Sequence, residues 1–250
     1  MRSVLRTRSV SLAAVLAGLL VSVAAAQAAP PTYNWAGPYI GVQGGIADPL
    51  FSTTGNLDLG IFGKYSASQS YGNGSQAADV GVFGGYNFQT SQGLVFGGLA
   101  DFNWSQMSAT SDPLFAIGRS CSGRFYVCAG QTTTKVDWYG TVRGTVGQAI
   151  GQLLLYGTGG FAYGQVESTV AGTSSFGPLF NVSSSDIRYG WTAGAGAALA
   201  INKSLSVRME YDHVDLGSGT VASISHPVKA SIVDTAAFDT VTVGLAVRFP

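Results

Sequence analysis

Strict alternation between apolar and polar residues is the feature that most limits what this chain can fold into. In the segment TKVDWYGTVRG, residues 134–144, the even positions after the first are apolar or glycine and most odd positions are polar or charged. Successive side chains leave a β-strand on opposite sides, whereas a helix mixes the two sets. The pattern therefore predicts a strand with one apolar face and one polar face.

Similar alternation recurs along the chain and predicts eight strands, near residues 35–47, 76–89, 94–106, 132–148, 153–168, 186–201, 205–217 and 235–249. Their connections alternate in length. TSQG, IGQ and NKS form three tight turns, and the other four connections run to roughly 17 to 28 residues rich in Ser, Gly, Thr and Asn. Short turns on one edge and long loops on the other are typical of an outer-membrane barrel.

Composition favours lipid contact. Only 10% of the residues are charged, and the mean hydropathy is +0.26, whereas about a quarter of the residues of a soluble domain are charged. Nothing after the first thirty residues is an apolar run of the ~18 residues that a spanning helix needs. The combination indicates a membrane β-barrel, in which half of every strand faces lipid. The formal net charge of zero argues against a nucleic-acid partner.

Alternation alone does not separate a membrane barrel from a lipocalin, which has eight strands with the apolar face inside. Three observations favour the membrane form. The polar faces carry many Thr and Gly and few charges, which is a poor soluble surface. Their charges have both signs, which suits a narrow lumen closed by ion pairs. The third observation is two rows of aromatic residues near the strand ends, namely Trp35, Phe88 and Phe249 towards the turns and Trp104, Tyr189 and Tyr211 towards the loops.

The N-terminus predicts secretion. Arg2, Arg6 and Arg8 precede an apolar stretch that ends in the small residues of Ala26–Gln27–Ala28. We therefore expect a signal peptide over residues 1–28 and a barrel over residues 29–250. A retained anchor helix is disfavoured, because no basic stop-transfer residues follow the stretch.

The chain has two cysteines, Cys121 and Cys128, within GRSCSGRFYVCAGQ. Outside the cytoplasm so close a pair is expected to form a disulfide that staples one loop. A metal site is a weaker interpretation, since no His, Asp or Glu lies between or beside the two.

A group of charged residues on the polar faces is predicted to converge inside the barrel: Asp101, Lys135, Asp137, Arg143, Arg188, Arg208, Glu210, Asp212 and Arg248. Some of them must pair, because lone charges in a confined interior cost several kcal/mol. Which pairs form is left open by the sequence.

Four segments resemble the small outer-membrane β-barrel proteins of alpha-proteobacteria, known as porin-like proteins or surface antigens: YNWAGPYIGVQGG, VFGGYNFQ, LVFGGLADFNWS and VTVGLAVRF. The likeness extends over residues 33–249. It implies an OmpA-like eight-stranded barrel, surface-exposed loops, and roles from envelope integrity to host contact or ligand capture. It also implies contact with outer-membrane lipid and lipopolysaccharide, and assembly by periplasmic chaperones and the barrel-assembly machinery. One departure is that Pro250 follows Phe249, where the family usually ends on the aromatic residue.

Catalytic chemistry has little support in the sequence. His213 is predicted to face the outer rim of the bilayer, and some barrels that edit lipid A place a His beside a Ser or Asp there, but no such partner is evident. His226, before Pro227, is expected to be a solvated loop residue. A haem or metal role would need a second ligand that the sequence does not reveal. We therefore predict no enzyme activity, no cofactor and no metal site.

The sequence thus predicts an all-β protein, an eight-stranded antiparallel up-and-down transmembrane β-barrel with short periplasmic turns and long extracellular loops. The predicted function is that of a non-enzymatic integral protein of the outer membrane that contributes to envelope structure and presents its loops. An eight-stranded interior is just wide enough for its own side chains, so little or no conductance is expected. The alternatives are a narrow porin for small solutes, and a surface protein that binds a host molecule, haem or another small ligand.

Overall fold

A computed structural model describes residues 33–58, 63–72, 75–111, 130–174, 177–224 and 229–249. This part of the chain forms ten strands: β1 (Gly37–Pro49), β2 (Phe51–Asp58), β3 (Lys64–Tyr71), β4 (Ala77–Gln89), β5 (Leu94–Thr110), β6 (Gly130–Ile150), β7 (Leu153–Ser174), β8 (Gly177–Ala200), β9 (Leu205–Ile224) and β10 (Lys229–Arg248). Within these ranges no helix is long and apolar enough to cross a membrane. The predicted signal peptide, both cysteines, His226 and Pro250 lie outside the described residues.

Eight of these strands close a ring. The antiparallel order is β1-β4-β5-β6-β7-β8-β9-β10, and β10 pairs back with β1. β1 and then β2 pair with the same strand, β10, without a change of register. Leu50, which lies between them, also donates its backbone N–H to the backbone oxygen of Ala237 at 2.8 Å. β3 returns beside β2. The predicted eight-stranded antiparallel barrel is confirmed, and the β2–β3 hairpin extends its wall on one side.

The three short turns lie at one edge of the barrel, as predicted. Gly93 and Gly151 have positive φ angles of 84° and 63°, a conformation that other residues adopt at a cost. This edge faces the periplasm in barrels with short turns on one side only.

At the opposite edge the strands run further than the sequence predicted. β7 and β8 are separated only by residues 175 and 176, and β9 and β10 only by residues 225–228. The strand ends expected at residues 168 and 217 were therefore too early. Most residues of these long connections continue the barrel wall above the membrane.

A row of aromatic side chains lies on the outer surface, where the apolar exterior on the side of the short turns gives way to a polar exterior. This extracellular belt consists of Phe102, Trp104, Trp138, Phe161, Tyr163, Tyr189, Trp191 and His213. Contacts between neighbouring rings include Phe102 on Trp138 at 5.4 Å and Phe161 on Tyr189 at 5.9 Å between centroids. Trp104 and Tyr189, predicted as girdle residues, are both exposed. Such a belt is typical of the membrane–water interface.

Between the belt and the turns, the barrel has an apolar exterior, and its charged side chains point into the interior. On β9, Met209 is 57% exposed while its neighbours Arg208 and Glu210 are buried. On β6, Val142 is exposed while Thr141 and Arg143 are buried. This is the expected pattern for strands that cross a membrane.

Above the belt, the two faces exchange character. Outward side chains form hydroxyl and amide pairs across the strands, such as Thr169 with Ser183 at 3.0 Å and Gln165 with Ser185 at 3.1 Å. Inward side chains form an apolar layer, defined by Ala47, Phe51, Tyr71, Met107, Ala109, Val136, Tyr139, Ala162, Val166, Val214, Leu216, Ala236 and Phe238. Above the belt, as in a soluble barrel, most apolar side chains therefore lie inside and the hydroxyl and amide side chains of these pairs lie outside, although a buried polar group remains in the interior.

Candidate functional site

The interior of the barrel is the candidate site, because it collects most of the predicted charged residues. Arg143 of β6 lies at its centre with its side chain 2% exposed. Its Nη2 is 2.6 Å from Oδ2 of Asp101 on β5, and its Nη1 is 2.5 Å from Oδ1 of Asp212 and 2.7 Å from Oε1 of Glu210, both on β9. One guanidinium thus joins β9 to β5 and β6 across the bore.

Two of these carboxylates also accept hydrogen bonds from neutral side chains. Asp101 accepts from Thr141 at 2.6 Å and from Asn103 at 2.7 Å. Glu210 accepts from the hydroxyl of Tyr156 at 2.5 Å. Buried ion pairs persist when such bonds offset the loss of hydration. We call Asp101, Arg143, Arg208, Glu210 and Asp212 the arginine cluster.

Arg208 is the second cation of the arginine cluster. Its Nη2 donates to Oε1 of Gln43 at 2.5 Å and lies 3.7 Å from Oε1 of Glu210. The guanidinium also lies over the ring of Phe83, with its Cζ 3.5 Å from the ring centroid, a favourable cation–π geometry. Another buried acidic residue of the interior, Asp79, accepts hydrogen bonds from Tyr139 and, at 3.3 Å, from Thr240.

A second polar group, the Asp234 cluster, lies among the inward residues above the membrane. Asp234 is fully buried and accepts hydrogen bonds from four hydroxyls, with distances of 2.8 to 3.2 Å. These hydroxyls belong to Thr53, Tyr71, Thr134 and Ser168. Nη1 of Arg188 lies 3.6 Å from Oδ2 of the same carboxylate. Burial, and then the charge of Asp234, raise the pKa of Tyr71, so that its hydroxyl stays protonated and keeps donating.

The structure therefore brings five of the nine predicted interior residues together in the arginine cluster and places Arg188 in the Asp234 cluster. Arg248 lies apart, at the periplasmic mouth, where its Nη2 donates to the backbone oxygen of Lys203 at 2.7 Å. Its guanidinium covers the ring of Tyr33, with 4.4 Å between Cζ and the centroid.

Two predicted interior residues, Lys135 and Asp137, face outwards, and the prediction was wrong for both. Val136 pairs with Val166 and Trp138 pairs with Gln165, so Asp137 is an extra residue opposite β7. A bulge of one residue reverses the facing of every residue beyond it. Val136 consequently points inwards and Lys135 outwards.

The prediction that Trp35 belongs to the outer girdle was also wrong, because its side chain lies in the interior. It is 5% exposed and contacts Tyr33 edge to face at 4.8 Å between centroids. Its backbone N–H donates to Oε1 of Gln89 at 2.5 Å. We call the cluster that closes this end the periplasmic plug, formed by Tyr33, Trp35, Val95, Ala149, Leu154, Tyr156, Ala198 and Ala200.

The predicted group of interior residues was limited to some of the charged ones and did not include several other polar residues of the interior: Gln43, Asp79, Asn103, Tyr156 and Asp234. Alternation within a strand places Asn103 and Asp79 on inward faces. Both could therefore have been predicted as interior residues from their positions in the strands. Asp234 lay in a stretch interpreted as loop, where no facing was assigned.

His213 has the carboxylate partner that the sequence did not reveal. Its Nδ1 lies 2.7 Å from Oδ1 of Asp239 on the outer surface, and its ring lies 5.3 Å from that of Trp191. In the part of the chain that the structure describes, no Ser or Thr hydroxyl hydrogen-bonds His213. The same residues contain no group of three or more His, Cys, Asp and Glu side chains placed to hold a metal ion.

Residues 13–249 match the family model described as the outer membrane protein beta-barrel domain. A 31 kDa outer-membrane immunogenic protein of Brucella melitensis is 34% identical over 242 residues, covering 94% of this chain and 93% of that protein. A 22 kDa outer membrane protein of Rhizobium leguminosarum is 31% identical over 195 residues, covering 77% of this chain and 71% of that protein. Among solved structures, the outer membrane protease OmpT from Escherichia coli aligns with a TM-score of 0.50 at 12% identity, covering 84% of this chain and 97% of that one. This last likeness concerns the fold alone.

Proposed function

The chain belongs to the outer-membrane β-barrel family, and on that premise we propose that it is a closed, non-enzymatic structural protein of the outer membrane. Its role is to add a rigid element to the envelope and to hold an extended wall of strands above the lipid surface. The partners proposed for it are outer-membrane lipid and lipopolysaccharide, with periplasmic chaperones and the barrel-assembly machinery during insertion.

The observation that carries this proposal is the filling of the bore at successive levels. From the periplasm outwards, the side chains form the periplasmic plug, the arginine cluster and the apolar layer. Phe51, Met107, Val136 and Phe238 of the apolar layer are almost completely buried. A hydrated ion that crossed this layer would lose its water against apolar walls, which costs many kcal/mol.

The arginine cluster obstructs the bore in a second way. A pore through this level requires Arg143 to leave three carboxylates at once. Breaking a buried pair of this kind costs about 3–5 kcal/mol, so thermal motion opens it rarely. This supports a wall protein over the narrow porin that the strand count also allows.

Planar-bilayer recording tests the proposal. Refolded protein, with insertion verified by migration on a gel with and without boiling, is expected to give no stable single-channel steps. A matched variant, Phe51→Ala/Met107→Ala/Phe238→Ala, removes side chains of the apolar layer and shows whether a loosened interior produces steps. Large, stable openings of the unaltered protein would contradict the proposal and favour a porin.

A second candidate function, recognition at the cell surface, rests on the strands above the belt. From Tyr163 to the end of β7 at Ser174 the strand is about 35 Å long, and Gln165, Glu167 and Thr169 face outwards. The Brucella relative is described as immunogenic, which fits a protein that offers such a wall to antibodies or to a host molecule.

Labelling of intact cells tests the surface exposure on which this candidate depends. In a chain with Cys121→Ser and Cys128→Ser, a membrane-impermeant maleimide is expected to label Thr169→Cys, above the belt. It is expected to spare Gln92→Cys, in a periplasmic turn. Equal labelling of both positions, or labelling of the turn alone, would defeat the assignment of the two edges.

A further inference from the structure

A cavity of about 50 Å³ lies in the lower barrel between the periplasmic plug and the arginine cluster. A water-sized group needs at least ~10–15 Å³ on this measure, so the cavity has room for roughly three to five such groups. Its walls are largely apolar and include Phe83, Leu99, Leu154 and Ala246. Neither the proposed structural role nor surface recognition uses this space.

The charged side chains that line the cavity are all positive. Two guanidinium groups, of Arg208 and Arg248, contribute to it, and no Asp or Glu does. Three buried donor atoms of the lining have no hydrogen-bond partner: Nε of Arg208, Nη1 of Arg248 and Nε1 of Trp35. A buried donor without an acceptor costs about 1–3 kcal/mol, and more when it is charged.

The nearest carboxylate does not supply the missing acceptor. Oε1 of Glu210 is 3.7 Å from Arg208, beyond hydrogen-bond distance, and pairs with Nη1 of Arg143 at 2.7 Å without a hydrogen bond, whereas its Oε2 accepts from the hydroxyl of Tyr156 at 2.5 Å. Gln43 bonds Nη2 of Arg208 and leaves its Nε free. The cavity therefore offers donors and positive charge to something that brings acceptors.

We propose that this cavity binds a short-chain carboxylate, of the size of acetate or propionate, from the periplasmic side. A carboxylate oxygen accepts from the free Nε of Arg208, and a hydrogen bond between two charged groups is stronger than one between neutral groups. The alkyl end packs against the apolar walls, which suits a carboxylate better than an inorganic anion, charged on all sides. Acetate and propionate have four and five non-hydrogen atoms, which matches the available space.

The periplasmic plug provides the route of entry. Residues 33–36 precede β1 and cross the mouth, held by Trp35 N–H on Gln89 and by the hydroxyl of Tyr33, 3.3 Å from the backbone oxygen of Lys203. The hydrogen bonds described for this segment join it to Gln89 and Lys203 alone, so a displacement that breaks them admits a small molecule without opening the arginine cluster.

Nuclear magnetic resonance of the refolded barrel in detergent micelles tests the proposal. The probe is sodium propionate, added against sodium chloride at equal ionic strength, with propionamide as the uncharged compound of the same shape. The readout is the indole N–H signal of Trp35, assigned by its loss in Trp35→Phe. A saturable shift with propionate, and none with propionamide or chloride, is expected.

Two variants locate the site. Arg208→Met is expected to weaken propionate binding by about tenfold to a hundredfold, the effect of one charge-assisted hydrogen bond or two. Ala198→Leu fills the cavity without removing a donor, so it is expected to abolish binding even if Arg208→Met fails to fold. Lys135→Met is the control, because it removes an exposed positive charge on the outer face above the belt, and it is expected to leave binding unchanged. Correct folding of each variant is checked by its heat-modifiable migration.

The proposal is overturned by any of three results. The Trp35 signal does not respond to propionate, it responds equally to propionamide, or Ala198→Leu binds propionate like the unaltered protein. No response means that propionate does not enter the cavity, an equal response to propionamide means that the charge of the ligand does not decide binding, and unchanged binding by Ala198→Leu places propionate outside the cavity. None of these results bears on the closed-barrel proposal, which depends on conductance.

Discussion

Removing the central guanidinium should destabilise the barrel more than any other single charge change in the membrane band. In Arg143→Met, the side chain keeps most of its length and loses its positive charge. Asp101, Glu210 and Asp212, on two strands, would then converge on an apolar group.

The expected loss follows from how much each carboxylate depends on Arg143. Asp101 keeps hydrogen bonds from Thr141 and Asn103, and Glu210 keeps Tyr156 and the more distant Arg208. Asp212, whose side chain is 7% exposed, has Arg143 as its cation. Leaving a buried charge unpaired costs about 3–5 kcal/mol, so we expect a loss in this range. Asp212→Asn added to Arg143→Met should restore part of it.

Equilibrium unfolding by urea in lipid vesicles, followed by tryptophan fluorescence and heat-modifiable migration, measures the loss. Arg248→Met is the matched control. That guanidinium lies at the mouth, with one hydrogen bond and one ring contact, so we expect a loss of about 1 kcal/mol. Equal losses for the two variants, or no recovery in the double variant, would refute the view that Arg143 holds the bore together.

Four other predictions follow from the structure. Asp234→Asn should lower the free energy of unfolding by about 2 kcal/mol or more, because four hydroxyls and Arg188 interact with that charge. The exposed Asp186→Asn is the control and should cost under about 1 kcal/mol. Similar losses for the two variants would contradict a stabilising role of the Asp234 cluster. Gly196→Val places a Cβ 2.6 Å from the ring of Tyr156 and should cost about 1–3 kcal/mol, whereas Gly98→Ala meets nothing within 4 Å and should be nearly neutral in the same assay. Val142→Arg, exposed on the membrane band, should cost about 2–4 kcal/mol, and Thr133→Arg, outside the belt, about 0–1 kcal/mol; the reverse order would be incompatible with the assigned band. His213→Ala should leave the lipid A profile of the membrane unchanged in mass spectrometry, and a changed profile would show that the protein is an enzyme.

The architecture could be predicted because one side of each membrane-spanning strand contacts lipid. The alternation of apolar and polar residues then shows which side chains point outwards and which point inwards. β5, β9 and β10 keep the predicted facing between turn and belt, with Met209 and Val243 outside and Glu210 and Thr242 inside. The match to the family model and to the Brucella and Rhizobium relatives confirms the resemblance that the scaffold motifs indicated.

The bulge at Asp137 could not be predicted, because an inserted residue does not interrupt the alternation visible in the sequence. Lys135, Asp137 and Arg143 share one parity in the chain, yet only Arg143 lies inside. Pairing with β7 determines the facing, and one strand read by itself does not contain that information.

The long connections were interpreted as loops because the chemistry of the two faces reverses at the belt. Above it, Ser, Thr and Gln point outwards and apolar residues point inwards, so the rule that holds in the membrane band fails there. The abundance of Ser, Thr and Gly resembles loop composition, although the same residues make good outward faces in water. The Asp234 cluster is polar and points inwards, and it was missed because Asp234 lay in a stretch interpreted as loop.

Site-directed spin labelling along β6 tests the central claim most directly, namely that lipid covers the outer face below the belt and water covers it above. With both native cysteines changed to serine, labels are placed singly at positions 131, 133 and 135, then 142 and 146, and finally at the inward position 141. The account predicts high accessibility to oxygen at 142 and 146, high accessibility to a water-soluble nickel complex at 131, 133 and 135, and low accessibility to both at 141. High nickel accessibility at 142 and 146 in vesicles would show that water, not lipid, covers the apolar face and would contradict the account.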